Sequence, residues 1–275
     1  MKLPTNAAEW DKECERIVRA MQGYAAPYIT PISKIISDDE GELLGTGSYV
    51  EMIGRRLLIT NEHNVAILQT NSLGLQFHGN DGVYKLHNSA PGIGYPVDCA
   101  FSLIGDSIWS GLPALQPHQA AAVPPDRIAL AHTPVENELM FFRGYAGENS
   151  KLFFKTLLST ATSYLTREAP LPQKWGDSRF HFALHYPPEK ATALDPGFNL
   201  PIPKGFSGSL VWNTRYVECV TRDIPWSPGQ AQVTGIVWGW PSSTSCVLCT
   251  RVEHLRSFLV LALEEMRNRG EITGS

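Results

Sequence analysis

Three short stretches of the chain hold side chains able to do nucleophilic chemistry. In GFSGS (205–209), Ser207 lies between glycines, just past the Pro-rich run NLPIPK and just before the apolar LVW. A serine hydroxyl attacks a carbonyl only if a nearby base removes its proton. An imidazole does this best when a buried carboxylate fixes its tautomer and stabilises the imidazolium. Of the eight histidines, His63 stands out, because in LLITNEHNV it follows an apolar segment where a strand should give way to a short turn or helix. Among the acids, Asp98 opens the otherwise apolar YPVDCAFSLI. A carboxylate there is costly to bury without a partner, and an imidazole is the natural one. Taken alone, each residue has a plainer reading: a surface histidine, a turn-forming acid after Pro96, a structural serine in a glycine-rich turn. Taken together they form a candidate nucleophile, base and orienting acid.

Elements able to position these residues are legible around them. Asn6 followed by Glu9 is a capping-box pattern, and Trp10, Cys14, Ile17, Val18 and Met21 fall at helical spacing, so a helix is expected over 7–22. Val252, Leu255, Leu259, Ala262, Leu263 and Met266 repeat that spacing up to a stop near Gly270. Both helices are expected to pack on their own domain, since their polar faces mix charges. Between them the signals are those of strands. In the first half these are 32–37 and 42–52 about a turn at 38–41, then 56–60, 73–78 and 83–87 about a turn at 79–82, and 97–104. In the second half they are 138–145, 163–167, 180–186, 209–213, 232–240 and 245–252. A Pro- and Ala-rich connector over 110–126 joins the halves. Five or six strands in each half, with no βαβ rhythm, imply an all-β fold of two six-stranded antiparallel β-barrels with N- and C-terminal helices. The expected division is a helical extension over 1–29, a first barrel over 30–125 carrying His63 and Asp98, a second barrel over 126–252 carrying Ser207, and a C-terminal helix over 253–275.

Composition narrows the partners. The 275 residues are 43% hydrophobic and 18% charged with a net charge of −4, and no basic stripe or tail appears, so nucleic acid is not an expected partner. The opening MKLPTNAAEWDKE lacks the apolar core of a signal peptide, and FLVLAL at 258–263 is too short to cross a bilayer. A cytoplasmic compartment with reduced thiols and no membrane association is therefore the expectation. Cys246 and Cys249 are three apart in a strand segment with no second Cys/His pair at zinc-ribbon spacing, so no metal site is expected. PGIGYP at 91–96 lacks the strand-to-helix setting of a phosphate loop and reads as turns. No cofactor is expected.

At the level of motifs, the chain resembles the trypsin/chymotrypsin-like serine proteases, in particular bacterial trypsin-like peptidases. GTGSYVEMIGRRLLITNEHNV is similar to the segment in which a Gly-rich strand leads to a second strand ending Thr-x-x-His. PVDCAFSLI is similar to the family's Asp-x-Ala-hydrophobic strand, and GFSGSLVW to its nucleophile loop. GIVWGW and CVLCTRV are similar to its closing strands. The order His, Asp, Ser also agrees with that family. The resemblance implies a chymotrypsin-like double barrel and a serine endopeptidase acting on proteins or peptides. In it His63 is general base then acid, Asp98 its orienting group, Ser207 the nucleophile, and the backbone N–H groups of Gly205 and Ser207 the oxyanion hole.

Departures from the family qualify that implication. The position before the nucleophile, an Asp in trypsin-type zymogens, is Phe206, so activation by a salt bridge to a new N-terminus is not available. Counting along the nucleophile loop places the floor of the primary pocket at Pro201, with Ile202 beside it and walls near Trp240 and Val247. This implies a shallow apolar pocket without an acid for Lys or Arg. Trp238 replaces a serine that supports the acid in many members. The stretch 214–232 is longer than a hairpin needs and reads equally as a substrate-side loop or a surface insertion. His181 and His185 are expected at the barrel surface. The alternative function is a catalytically silent or partner-activated scaffold that binds peptides or a regulatory protein.

Overall fold

A computed structural model of the chain describes residues 2–37, 41–66, 72–80, 82–86, 90–109, 119–153, 156–194, 199–270 and 272. The helix α1 (Ala7–Ala25) starts where the capping signal places it. Asn6 Oδ1 accepts the Glu9 N–H at 3.0 Å, satisfying one of the amides a helix start leaves open. It runs one turn beyond the expected 7–22 and buries Ile17, Val18 and Met21 against Phe141, Leu210 and Trp212. Each such side chain contributes on the order of 1.5–3 kcal/mol.

Seven strands follow in the first half: β1 (Ile29–Ile35), β2 (Gly41–Met52), β3 (Arg55–Thr60), β4 (Ser72–Gln76), β5 (Val83–Leu86), β6 (Gly92–Ile93) and β7 (Cys99–Leu103), with short helices α2 (Glu62–Val65) and α3 (Asp106–Trp109). They form one antiparallel sheet in the order β5-β4-β1-β2-β3-β7-β6. The second half contributes β8 (Met140–Phe153), β9 (Thr156–Thr166), β10 (Glu168–Ala169), β11 (His181–His185), β12 (Leu210–Asn213), β13 (Gln232–Gly239) and β14 (Cys246–Arg251), with α4 (Tyr216–Thr221) and the terminal α5 (Val252–Asn268). These strands make a second antiparallel sheet, ordered β10-β11-β14-β13-β12-β8-β9.

The fold is thus mostly β, two antiparallel sheets with terminal helices, consistent with a chymotrypsin-like double barrel. Each sheet has seven strands rather than six. The two-residue β6 and β10 are too short for any alternation to be read from sequence. The β8–β9 hairpin is also longer than the expected 138–145 and 163–167, because Gly147 and the polar residues after it do not end the strand. The expected turn residues 38–40, Asp81 and the connector residues 110–118 lie outside the described residues.

The two halves meet in one hydrophobic cluster that joins Val50, Leu57 and Phe101 of the first sheet to Leu210, Trp212 and Val233 of the second, closed by α1 and by Leu259 and Leu263 of α5. The stretch 214–232 is an ordered insertion on this side. Its α4 packs Tyr216 edge-on to Trp10 of α1, and Arg16 lies 5.0 Å over the Trp226 ring. The buried Glu138 carboxylate accepts the first-turn N–H groups of Val217 and Glu218, each at 3.0 Å, a charge placed where a helix start favours it. Among the described residues, no helix is long and apolar enough to cross a membrane.

Candidate active site

His63 is held by the point at which β3 ends. Thr60, the last residue of β3, donates its hydroxyl to Thr46 O of β2 at 2.8 Å, and α2 begins two residues later. His63 lies on α2 with its ring half exposed. Its Nδ1 is 2.7 Å from Asp98 Oδ2, and its backbone N–H reaches Asp98 Oδ1 at 3.3 Å. Side-chain exposure is 47% for His63 and 10% for Asp98, so the carboxylate is sheltered behind a ring that opens to solvent. A carboxylate at Nδ1 favours the Nδ1–H tautomer and leaves the Nε2 lone pair facing outward.

Asp98 stands just ahead of β7 with φ +45°, a left-handed conformation that Asp tolerates better than most residues. Asn61 donates its Nδ2–H to Asp98 O at 2.6 Å. The next residue, Cys99, is fully buried. Burial first, then the Asp98 charge, pushes its thiol up, so it stays protonated and offers no rival nucleophile.

The GFSGS loop is clasped by the first sheet. Thr46 donates its backbone N–H to Ser207 O at 2.8 Å and its hydroxyl to Gly205 O at 2.9 Å. Asn64 Nδ2 donates to the same Ser207 O at 3.1 Å, and Ser48 Oγ to Gly208 O at 3.2 Å. From its own half, the loop sends the Gly208 N–H to Val237 O at 2.8 Å. The approach is close enough to demand glycine. Gly208 has φ +94°, and a Cβ there would lie 1.8 Å from Thr46 O; Gly205 has φ +102°, and its Cβ would lie 2.6 Å from Tyr145 O. Among the described residues, the backbone N–H groups of Gly205 and Ser207 have no hydrogen-bond partner, whereas those of Phe206, Gly208 and Ser209 do.

Phe206 is the loop's anchor. It is fully buried, with ring centroids 5.5 Å from Phe142 and 5.9 Å from Tyr186. The position that would carry an activating acid is therefore committed to an apolar cluster. Phe206→Ala is expected to cost about 3–5 kcal/mol of stability, seen as a lower midpoint in urea unfolding at unchanged m-value.

Ser207 and His63 are brought to neighbouring strand ends, linked through Asn64, but they are not hydrogen-bonded to each other. The Ser207 hydroxyl donates instead to Trp238 O at 3.4 Å, a long contact. Of the expected pocket residues, Ile202 is exposed and Trp240 half-buried. Pro201 is buried and accepts the Tyr186 hydroxyl on its carbonyl at 2.7 Å. Val247 is fully buried in β14 opposite Leu184, below any surface a substrate could touch directly. Cys246 and Cys249 belong to different apolar clusters, and no group of three or more potential metal-binding side chains occurs among the described residues.

His185 is exposed, as expected, but His181 is not. It is buried, and its ring bonds Pro96 O and the Asp177 N–H. Sequence reasoning also missed Thr46, Asn61 and Asn64. The two asparagines flank His63 in TNEHNV, but short polar residues at a helix start are ordinary caps, so their spacing alone gives no sign of the distant groups they hold.

No protein-family model and no curated protein matches the chain. Solved structures do. The apo MamO protease domain of Magnetospirillum magneticum is 11% identical, with 85% of this chain and 96% of that one covered and a TM-score of 0.48. An inactive serine-to-alanine mutant of Rv3671c from M. tuberculosis H37Rv is 14% identical, with coverage of 94% and 95% and a TM-score of 0.46. A structure described for the coupled folding and binding of the intrinsically disordered Sesbania mosaic virus VPg protein is 14% identical, with coverage of 86% and 92% and a TM-score of 0.48.

Proposed function

We propose that the protein is a serine endopeptidase of the trypsin/chymotrypsin type, hydrolysing peptide bonds through an acyl-enzyme. The observation that carries this reading is the 2.7 Å contact between His63 Nδ1 and Asp98 Oδ2, in the same half whose Thr46, Ser48 and Asn64 grip the GFSGS loop. In this reading, residues 30–125 supply base and acid and residues 126–252 the nucleophile. Ser207 Oγ swings from Trp238 O towards His63, gives its proton to Nε2 and bonds to the scissile carbonyl carbon. The carbonyl oxygen becomes an oxyanion received by the free N–H groups of Gly205 and Ser207. His63 then returns the proton to the leaving amine as the C–N bond breaks. A water molecule repeats the sequence to release the acid and restore Ser207. Asp98 stays ionised throughout and stabilises the imidazolium. No step calls for a metal or cofactor. Ile202 and Trp240 offer apolar surface near the loop and no acid, which fits uncharged substrate side chains.

One observation favours a second reading, a scaffold activated by a partner: the Ser207 hydroxyl points to Trp238 O rather than to His63. A fluorophosphonate probe separates the two. Labelling of the purified wild type, absent in Ser207→Ala, is the expected result. Labelling that appears only with a partner protein would favour the second reading, and none across a range of pH would overturn the first.

A further inference from the structure

We propose that His181, on the second sheet, is a positioning residue that sets Asp98 against His63. This deepens, and rests on, the reading of Asp98 as the acid of a catalytic triad.

Asp98 sits at φ +45°, and a strained backbone of this kind persists only where its surroundings over-determine it. Here three successive carbonyls are each held by a different side chain. His181 Nε2–H donates to Pro96 O at 2.7 Å, Thr250 Oγ1 to Val97 O at 3.0 Å, and Asn61 Nδ2 to Asp98 O at 2.6 Å. Asn61 belongs to the half that carries His63. His181 and Thr250 do not: they are direct cross-strand partners on β11 and β14. One rung of the second sheet thus fixes the two peptide units that lead into the acid of the first.

The His181 ring is built for a fixed donor. It is 1% exposed and packs between Trp238, with centroids 5.0 Å apart, and Tyr95, at 5.6 Å. Its Nδ1 accepts the Asp177 N–H at 3.0 Å, so the remaining proton belongs on Nε2, facing Pro96 O. The groups around the ring include the Asp177 carboxylate with its Arg179 partner, His254, and Arg251, whose Nε donates to His181 O. Burial is the largest influence and lowers the imidazole's affinity for a proton, against the opposing Pro96 bond. The neutral ring is the form that can accept at Nδ1. A second proton there would point at the Asp177 N–H. Trp238, against which the ring packs at a tilt, is also the residue whose carbonyl receives the Ser207 hydroxyl, so the same packing touches both ends of the proposed site.

The test compares His181→Phe, which keeps a ring but loses both nitrogens, with His181→Gln, whose amide can restore the donor to Pro96 O. Two readouts are needed. The first is the proton NMR resonance of His63 Nδ1–H, recorded in a Ser207→Ala background, which reports the contact with Asp98 without requiring turnover. The second is kcat and KM on a peptide substrate. In His181→Phe the resonance should shift or vanish and kcat should fall about 100-fold, the scale of an ångström of misplacement, with little change in KM. His181→Gln should recover most of both. An unchanged resonance in a folded His181→Phe overturns the proposal, as does equal loss in the two variants in step with their thermal stability. If His181→Phe does not fold, Thr250→Val must displace the same resonance, and no displacement overturns the proposal equally. A wild type that turns over no substrate but whose resonance responds to these changes leaves the positioning role standing and refutes the peptidase reading.

Discussion

His63→Ala is expected to lower kcat by about 10⁶-fold. In the proposed mechanism, loss of the ring that contacts Asp98 removes the proton acceptor from the first step and the proton donor from the second. The fold should survive. The ring is 47% exposed, so water can enter where it stood, and the residue-63 backbone N–H remains to serve Asp98 Oδ1. Steady-state kinetics with active-site titration by a fluorophosphonate checks this, with circular dichroism to establish the fold. A His63→Ala variant within tenfold of the wild type would remove His63 from the mechanism. Losses for Ser207→Ala and for the double variant should be similar rather than additive, because nucleophile and base act as a unit.

Asp98→Asn should cost about 10⁴-fold in kcat while leaving KM nearly unchanged. The substitution is sterically conservative, and Asn tolerates the left-handed backbone at this position as well as Asp does. What changes is the polarity of the contact. An amide that turns its N–H₂ towards His63 Nδ1 makes that nitrogen an acceptor, so the proton moves to Nε2, where the lone pair is needed. An amide that turns its oxygen there keeps the tautomer but no longer stabilises the imidazolium. Equal fluorophosphonate labelling rates for Asp98→Asn and wild type would show that the acid plays no such part. A loss of thermal stability matching the loss of rate would show that it serves the fold instead.

The parts of this site that sequence could display are those with a signal of their own. His63, Asp98 and Ser207 each follow or open an apolar strand, and a polar residue in such a setting is conspicuous. The terminal helices carry periodicity and, for α1, a cap. The support around these three residues has no such signature. His181 meets Pro96 O, Thr250 meets Val97 O, Asn64 meets Ser207 O, and in each case a side chain bonds a carbonyl far along the chain. Every residue has a carbonyl, so nothing in the acceptor's identity marks the pairing. A histidine in HFALH looks the same whether its end of the strand faces solvent or the neighbouring sheet. The α4 insertion was similarly hidden. Its Pro, Gly and Ser residues read as loop, whereas burial of Tyr216 and Trp226 against α1 gives it order.

The clasp on GFSGS has one more consequence. Among the described residues, the carbonyls of residues 205–208 all accept hydrogen bonds, from Thr46, Ser209, Asn64 and Ser48, while the N–H groups of Gly205 and Ser207 do not donate. The loop's carbonyls are thus all engaged, and two of its N–H groups are left unpaired. In the proposed mechanism these two N–H groups act as a backbone nest, a setting that favours anions. In a peptidase, one anion is always made on the spot: the new C-terminal carboxylate of the cleaved chain. The electrostatics that would speed the reaction would also make the enzyme slow to release its own acyl-side product.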